Sequence, residues 1–215
     1  MPYIDKRIQK VYIPRKGIGY VAKDNIEEGT IIIKETPAYW VPNLETDISR
    51  MFQLLYIIFT DNDQSKNKQF NKLVPLNLNE IDNNSIKIHN PLIDAEYDSL
   101  AKYNPKIYKF FKENYEMNEI YLFCYKYMRN AFEFKNYGPC VLLIGSRLNH
   151  SCDPNITFTR HKNTIYYTTN RKISNGDEIN ITYIKKNLAL NKKQRAQRLL
   201  NQYGFECKCQ KCITN

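Results

Sequence analysis

Four cysteines have the residue type and spacing to bind a metal ion. Three lie within six residues near the end of the chain, Cys207, Cys209 and Cys212, and the fourth, Cys152, lies far upstream. Three thiolates can contact one side of a small soft cation, but tetrahedral zinc takes four ligands. Cys152 is the best candidate for the fourth ligand. Zinc bound in this way would hold the C-terminal tail beside the polar segment Asn149-His150-Ser151 that precedes Cys152.

These cysteines allow two other interpretations. Disulfides would require an oxidising compartment, yet residues 1–7 include charged side chains and no apolar signal-peptide core. Free thiols are the second alternative, although clustered thiols in an intracellular protein more often bind metal. Cys124 and Cys140 lie in apolar surroundings, which predicts small buried side chains rather than metal ligands.

The composition limits the class of protein. A chain of 215 residues is one large domain, or one domain with an insertion, and can bury a proper core. The formal charge of +10 indicates an acidic partner such as nucleic acid, a nucleosome or an acidic protein face. Lysine is spread along the chain, however, as biased codon usage would also produce. Apolar runs such as Leu54–Phe59 fall far short of the roughly 20 residues that span a bilayer, so we expect a soluble protein without a membrane contact.

Short strands are predicted at both ends of the chain. In the first forty residues, apolar and polar positions alternate around glycines, which predicts strands joined by tight turns. The predicted strands there are 11–13, 17–22 and 29–33. After Pro139 the strand pattern returns, and the predicted strands are 141–144, 157–160, 164–169 and 178–183.

The middle of the chain has helical periodicity instead. Apolar residues recur at helical spacing from Asp47 to Phe59, and two further helices are predicted from Pro105 to Ala131, the first capped by Asn104. The polar segment from Asp61 to Lys72 predicts a surface loop. Spacing of i, i+3, i+4, i+7, i+8 and i+11 predicts core packing for Ile120, Phe123, Cys124, Tyr127, Met128 and Ala131.

A last helix is predicted from Asn191, and Gly204 is suited to stop it in a left-handed cap just before the cysteine tail. The chain is therefore predicted to be α+β and mainly β, with four segments. These are N-terminal strands at 1–40, a helical insertion at 41–137, a C-terminal core at 138–185, and a helix with a zinc-bound tail at 186–215.

Four separated motifs resemble one family, the SET-domain lysine methyltransferases, and they occur in that family's order. They are RKGIGYVA at 15–22, RLNHSCDPN at 147–155, GDEINITY at 176–183 and the Cys-x-Cys-x-x-Cys tail. The resemblance covers residues 11 to 40 and 138 to 213, and it implies the SET β-clip of short strands followed by a post-SET zinc tail.

The tail and its preceding helix resemble the SMYD branch of this family. The chain departs from that branch in two respects. Residues 41–137 contain a single cysteine, which leaves no set of ligands for a MYND zinc finger, and the sequence ends just after Cys212, without a helical C-terminal domain. Partner recognition by those modules is therefore not carried over.

The resemblance implies S-adenosylmethionine as the cofactor. The glycine-containing segment would hold its amino-acid end, because glycines let backbone groups approach a ligand closely. The Asn-His pair would hold its amine and adenine, and the tail phenylalanine would pack on the adenine face. By this resemblance the cofactor-binding residues are Lys16, Gly17, Ile18, Gly19, Asn130, Asn149, His150 and Phe205.

The implied reaction is attack of a lysine amine on a sulfonium methyl group. A lysine with a pKa of about 10.4 must first lose a proton, which costs about 4.6 kcal/mol at pH 7. An apolar aromatic channel and the positive sulfonium would both lower that cost without a dedicated base. Tyr183 matches the family's catalytic tyrosine, whose hydroxyl would orient the amine and the methyl group, and Tyr203 would form another wall of the channel.

Simpler interpretations of these residues stay open. The chain has 17 tyrosines, and only its position in the motif distinguishes Tyr183. Taken by itself, His150 fits a hydrogen-bonded core histidine. Asp177 and Glu178 suggest an acid/base pair, but adjacent residues of a strand point to opposite faces, so we expect a turn and its supporting contacts there.

The leading hypothesis is a zinc-stabilised enzyme that methylates a lysine of a histone or another protein. We expect it to act as a monomer inside the cell, in the nucleus, the cytoplasm or both, with a nucleosome or nucleic-acid contact through its basic surface as a further expectation. The alternative is a catalytically silent SET-like module that binds a peptide or nucleic acid. The presence of Asn149, His150 and Tyr183 favours the enzyme.

Overall fold

The computed structural model describes residues 2–42, 49–134, 137–184 and 188–214. The strands are β1 (Tyr3–Ile4), β2 (Ile8–Ile13), β3 (Gly17–Ala22), β4 (Ile31–Glu35), β5 (Tyr39–Trp40), β6 (Ala131–Phe134), β7 (Gly138–Val141), β8 (Asn149–His150), β9 (Ile156–His161), β10 (Thr164–Thr169) and β11 (Glu178–Ile181). The helices are α1 (Arg50–Thr60), α2 (Gln64–Asn71), α3 (Asn83–Tyr103), α4 (Pro105–Asn114), α5 (Met117–Asn130), α6 (Lys192–Tyr203) and α7 (Gln210–Thr214). Two compact units are present, one of residues 1–37, 144–200 and 205–215, the other of residues 38–143 and 201–204.

The first unit is built from two four-stranded sheets, ordered β1-β4-β10-β9 and β2-β3-β11-β8. Strands β2 and β3 form an antiparallel hairpin. Arg15 in its turn and Gly17 at the start of β3 both have positive φ. Adjacent residues of a strand point to opposite faces, yet Ile32 and Ile33 of the central strand β4 are both fully buried, so both faces of the sheet are covered there. Ile165 of the neighbouring strand β10 is also fully buried. This core supports the loops that carry the sequence motifs.

The second unit contains helices α1 to α5 and the sheet β5-β7-β6. Its core is rich in aromatic side chains, among them Phe52 and Phe111, whose ring centroids are 5.5 Å apart in an edge-to-face arrangement. Asn104 caps α4, since its side chain accepts a hydrogen bond from the backbone N–H of Ile107 and Pro105 follows at the first helical position.

The α+β class is confirmed, and most predicted elements are present. Strands β2, β3, β4, β9 and β10 include the predicted segments apart from residues 29 and 30. The two helices predicted between Pro105 and Ala131 are α4 and α5, and Ala131 itself begins β6. The predicted helix start at Asp47 lies outside the described residues, and α1 is described from Arg50. The left-handed conformation of Gly204 follows α6 directly, at φ 75°. Helices contain more of the described residues than strands do, because the insertion is helical throughout most of its length.

Three sequence predictions were wrong. The polar segment after Asp61 is not a loop, because Asp63 caps helix α2 and Phe70 within it is fully buried. The strand predicted at 141–144 ends at Val141, and the strand predicted at 178–183 ends at Ile181. Helix α3 was not predicted at all. Its N-cap Asp82 is an ordinary helix start signal. The many polar residues of α3, however, make the periodicity of its apolar residues difficult to recognise in the sequence.

Lys126 is a buried cation that supports irregular backbone in the second unit. Its side chain is 3% exposed, and its ammonium donates hydrogen bonds to the carbonyl oxygens of Asn71, Leu73 and Pro75. A loop without regular hydrogen bonds would otherwise leave these carbonyls unsatisfied. The lysine thus takes the place of a secondary-structure partner for this stretch of chain.

We expect Lys126→Met to destabilise the protein by about 2–4 kcal/mol, because buried carbonyls would lose their donor. Burial lowers the pKa of Lys126 from 10.5 to about 8, so the unfolded chain binds more protons between these two values and wild-type stability rises with pH there. Urea unfolding at several pH values measures both effects. Lys87→Met, at an exposed position of α3, is the control. Equal stability of the two variants would contradict the assigned role.

No helix among the described residues is both long enough and apolar enough to cross a membrane.

Candidate active site and metal centre

Three of the sequence motifs meet at the carboxylate of Glu178. Strand β11 pairs with β3 on one side and with β8 on the other. The ammonium of Lys16 lies 2.5 Å from Glu178 Oε2, and the side-chain amide of Asn149 donates to Glu178 Oε1 at 3.0 Å. One carboxylate therefore fixes the glycine segment and the Asn-His segment relative to each other. The predicted supporting role of Glu178 is confirmed, and Asp177 accepts a hydrogen bond from the backbone of Ser174 in the adjacent turn.

Gly19 lies where strand β3 passes close to Asn149. A Cβ atom at this position would lie 2.5 Å from Asn149 Nδ2 and 2.6 Å from Ile13 Cδ1, so a side chain cannot be accommodated without displacing both. Gly17 has a φ of 77°, which other residues rarely adopt. Gly19 thus leaves the backbone beside Asn149 without a Cβ, which fits a cofactor held by main-chain groups and by the asparagine.

His150 connects the metal ligands with the segment of Tyr183. The backbone N–H of Tyr183 donates to His150 Nδ1 at 3.0 Å, and His150 Nε2 lies 3.3 Å from Cys152 Sγ. Burial, followed by the charges of Lys16 and Arg195, lowers the pKa of His150 to about 4, so the ring is neutral near pH 7. Because Nδ1 accepts, the single ring proton is on Nε2 and is donated to the sulfur.

Two aromatic rings pack around this histidine. The ring of His150 lies 5.2 Å from that of Tyr183 and 5.9 Å from that of Phe205, and Tyr183 meets Phe205 edge to face at 6.4 Å. The Tyr183 hydroxyl donates to the carbonyl of Leu148 at 2.8 Å. This hydrogen bond fixes the orientation of the phenol, and the neighbouring rings give it an apolar wall.

The four predicted metal ligands come together in the first unit. The sulfur atoms of Cys152, Cys207, Cys209 and Cys212 all lie within 4.8 Å of one another. Tetrahedral zinc with Zn–S bonds of about 2.3 Å places its sulfurs about 3.8 Å apart, which this cluster can reach with small movements. Cys124 and Cys140 are fully buried elsewhere, as predicted.

The environment of the thiols also favours a cation. Burial raises the pKa of Cys152, and the neighbouring thiols of Cys212 and Cys207 raise it further. Burial likewise raises the pKa of Cys207. Several thiolates at this separation repel one another, so all four are deprotonated together only when a metal ion balances their charge. Four sulfur ligands leave no open coordination position, which is typical of structural zinc.

A second carboxylate, that of the buried Glu35, positions the start of the Asn-His segment. It is 4% exposed and accepts hydrogen bonds from the backbone N–H groups of Ile144 and Gly145 at 3.0 and 2.6 Å, and from the hydroxyl of Tyr167 at 3.1 Å. Burial raises the pKa of this carboxyl, and the backbone donors act in the opposite direction. Glu35 thus anchors the turn at Gly145–Arg147 that leads into β8.

Two further predicted site residues belong to the second unit. Asn130, 3% exposed, donates its side-chain amide to the carbonyls of Val74 and Lys126, so part of its hydrogen-bonding capacity serves the loop that Lys126 also supports. Tyr203 is the last residue of α6. Cofactor binding by Asn130 and a channel role for Tyr203 stay predictions.

Sequence reasoning missed Glu35 and Arg195 as parts of this site. Arg195, in helix α6, directs its guanidinium at Cys212 Sγ, with 3.7 Å between Nη2 and sulfur. Neither residue lies within a recognisable motif. Glu35 follows Lys34 at the end of a strand that begins with three isoleucines, and charged residues at a strand end are too common to indicate a site.

Short strands around a paired Asn-His segment, together with a tail of cysteines, define a SET-type protein. A family model described as the SET domain matches residues 17–184, and the chain belongs to this family.

Individual relatives agree with this assignment. A SET domain-containing protein of Acanthamoeba polyphaga mimivirus is 38% identical over 210 residues, which cover 97% of this chain and 78% of that protein. The histone-lysine N-methyltransferase set5 of Schizosaccharomyces pombe is 25% identical over 213 residues, 98% of this chain and 52% of that protein. Among solved structures, the SET domain of LSMT bound to lysine and AdoHcy has a TM-score of 0.66 at 13% identity, and the match covers 93% of this chain and 53% of that one. The chain thus spans little more than half the length of the last two proteins.

Gly145 provides a test of the Glu35 anchor. A Cβ at this position would lie 1.8 Å from the Tyr167 hydroxyl and 2.8 Å from Glu35 Oε1. We expect Gly145→Ala to destabilise the protein by about 1–3 kcal/mol through this overlap. Thermal unfolding of Gly145→Ala, Tyr167→Phe and the double variant measures it. Because the phenylalanine removes the clashing oxygen, the double variant should be more stable than the sum of the single effects predicts, and strict additivity would argue against the overlap.

Proposed function

We propose that this protein transfers a methyl group from S-adenosylmethionine to a lysine side chain of another protein. The observation that carries the proposal is that Tyr183 and Phe205 both pack against His150, while the neighbouring Asn149 lies against Gly19. Membership of the SET family and the similarity to a yeast histone-lysine methyltransferase support the same reaction.

The residues of the first unit would bind and orient the reactants. Bound S-adenosylmethionine supplies a methyl group whose transfer turns a positively charged sulfur into a neutral thioether. Lys16 to Gly19 and Asn149 would hold the amino-acid end of this cofactor, and Phe205 would pack against its adenine.

Tyr183 is the residue that we assign to the reacting lysine. Its hydroxyl proton is already donated to the Leu148 carbonyl, so the phenol oxygen can only accept a further hydrogen bond. An incoming lysine amine is the donor that such an oxygen orients. Alignment of this kind increases the rate of methyl transfer although no group of the enzyme forms or breaks a covalent bond.

His150 is not suited to act as a general base. Both ring nitrogens already make contacts, one with the Tyr183 backbone and the other with Cys152. The lysine would therefore lose its proton to solvent before methyl transfer. The apolar rings around Tyr183 would disfavour the ammonium form and so assist that loss.

The family and the charge of the chain support a proposal for the substrate class. A histone or another lysine-bearing protein is the proposed substrate, with contact to a nucleosome or nucleic acid through the basic surface implied by a net charge of +10. We place the protein in the nucleus or the cytoplasm, acting as a monomer.

Transfer of radiolabelled methyl groups from S-adenosylmethionine tests the reaction directly. Zinc-loaded protein is incubated with purified histones and, in parallel, with whole-cell lysate. Label on lysine is the expected result. Absence of both cofactor binding and methyl transfer in a folded, zinc-loaded sample would exclude the enzyme.

The variant Tyr183→Phe separates chemistry from binding. We expect kcat to fall by about 100-fold or more, because the oxygen that orients the amine is lost, while cofactor affinity changes little. Calorimetric titration with the cofactor and a turnover assay give the two quantities. Tyr12→Phe, at a side chain that is 71% exposed, is the matched control. Full activity of Tyr183→Phe would remove this tyrosine from the mechanism.

Loss of the metal should weaken binding and turnover together. Cys209→Ser, or treatment with a chelator, is expected to lower cofactor affinity about tenfold or more, since Cys152 and Phe205 are both positioned by the cluster. Zinc content is measured alongside kinetics. Cys124→Ala, outside the cluster, should retain the metal. Unchanged kinetics after verified zinc loss would contradict this role of the tail.

A further inference from the structure

Arg195 is a half-buried cation beside the cysteine cluster. Its Nη2 lies 3.7 Å from Cys212 Sγ, and its charge also acts on Cys152. Its Nε is buried without a hydrogen-bond partner in the described part of the chain. Within the same ranges, none of the ion pairs with a carboxylate involves Arg195.

A guanidinium in this position needs a negative charge nearby. Removing it partly from water is costly unless an anion compensates. Four thiolates around a divalent cation carry two excess negative charges, and sulfur is the group that the guanidinium faces. Zinc binds the thiolate form of cysteine, so the bound metal fixes all four sulfurs in their charged form. The negative charge that faces Arg195 is therefore complete in the metal-loaded state.

We propose that Arg195 is the electrostatic partner of the metal-bound thiolates. Through this contact the first half of α6 is held against the cysteine tail when the metal is bound, and the arginine in turn slows release of the metal. Residues outside the ligand set that contact the ligands commonly change metal affinity by about 10- to 100-fold. Among the residues that the structure describes, Arg195 is a cation that donates a hydrogen bond to a sulfur of the cysteine cluster.

A purely structural role is the alternative. Arg195 Nη1 also donates to the carbonyl of Leu190 at 3.1 Å, and this bond alone would anchor the chain just before α6. Such an anchor would stabilise the protein equally with and without metal. The charge partnership stabilises only the metal-loaded form. The two roles are separated by measuring the effect of the same substitution in both forms.

The experiment is a cycle of two proteins and two metal states. Wild type and Arg195→Gln are compared with zinc bound and after zinc removal, by urea unfolding and by the rate of zinc transfer to a chromophoric chelator. We expect Arg195→Gln to lose zinc about 10- to 100-fold faster and to be destabilised mainly in the zinc-loaded form. Arg198→Gln, exposed on the same helix, should release zinc at the wild-type rate.

A conservative variant keeps the test decisive. Arg195→Lys retains the charge but loses the planar fork, so its zinc affinity should lie between those of wild type and Arg195→Gln. If Arg195→Gln does not fold, Arg195→Lys is compared with Arg198→Lys, and weaker zinc binding by Arg195→Lys alone supports the proposal. Wild-type zinc release from the Arg195 variants, or equal destabilisation of both metal states, overturns it. No measurement here requires methyl transfer, so the outcome is independent of the proposed activity.

Discussion

The parallel pairing of strands β8 and β11 is the constraint on which the site depends. Only Asn149 and His150 take part on one side, opposite Asn180 and Ile181. Successive residues of a strand point in opposite directions. This short ladder therefore sends Asn149 toward Glu178 and Lys16, and sends His150 toward Tyr183 and Cys152. One pair of residues serves two sets of partners because the backbone between them is extended.

Side chains lengthen this ladder beyond its two paired residues. The amide of Asn155 donates to the Glu178 carbonyl and accepts from the backbone of Asn180, so it replaces a strand neighbour on that edge. The backbone N–H of Ser151 donates to the carbonyl of Ile181. A two-residue strand alone would be marginal. The additional bonds explain how an irregular loop can hold both a metal ligand and two cofactor-binding candidates in fixed positions.

In each unit, a buried charged side chain supports irregular backbone through hydrogen bonds. In the first unit, Glu35 accepts the N–H groups of a turn, and in the second, Lys126 donates to carbonyls of a loop. Each charged group is compensated by several oriented backbone dipoles, which offsets much of the cost of desolvation. Backbone that is neither helix nor strand can be buried only with such partners. The functional segment after Gly145 depends on this arrangement as much as on its sheet.

The sequence by itself determined the four cysteines of the candidate metal site, most strands of the first unit, and the caps at Asn104 and Gly204. These features rest on local spacing, on residue chemistry and on backbone dihedral preferences, all of which neighbouring residues encode. Only the tertiary structure decided that Lys16 and Asn149 both bind the carboxylate of Glu178, and that Arg195 faces a cysteine. It also decided that the polar segment after Asp61 is a helix, because burial of Phe70 outweighs weak local propensity. The physical reason is that such contacts depend on strand register and on which faces are buried, and both are set by distant parts of the chain.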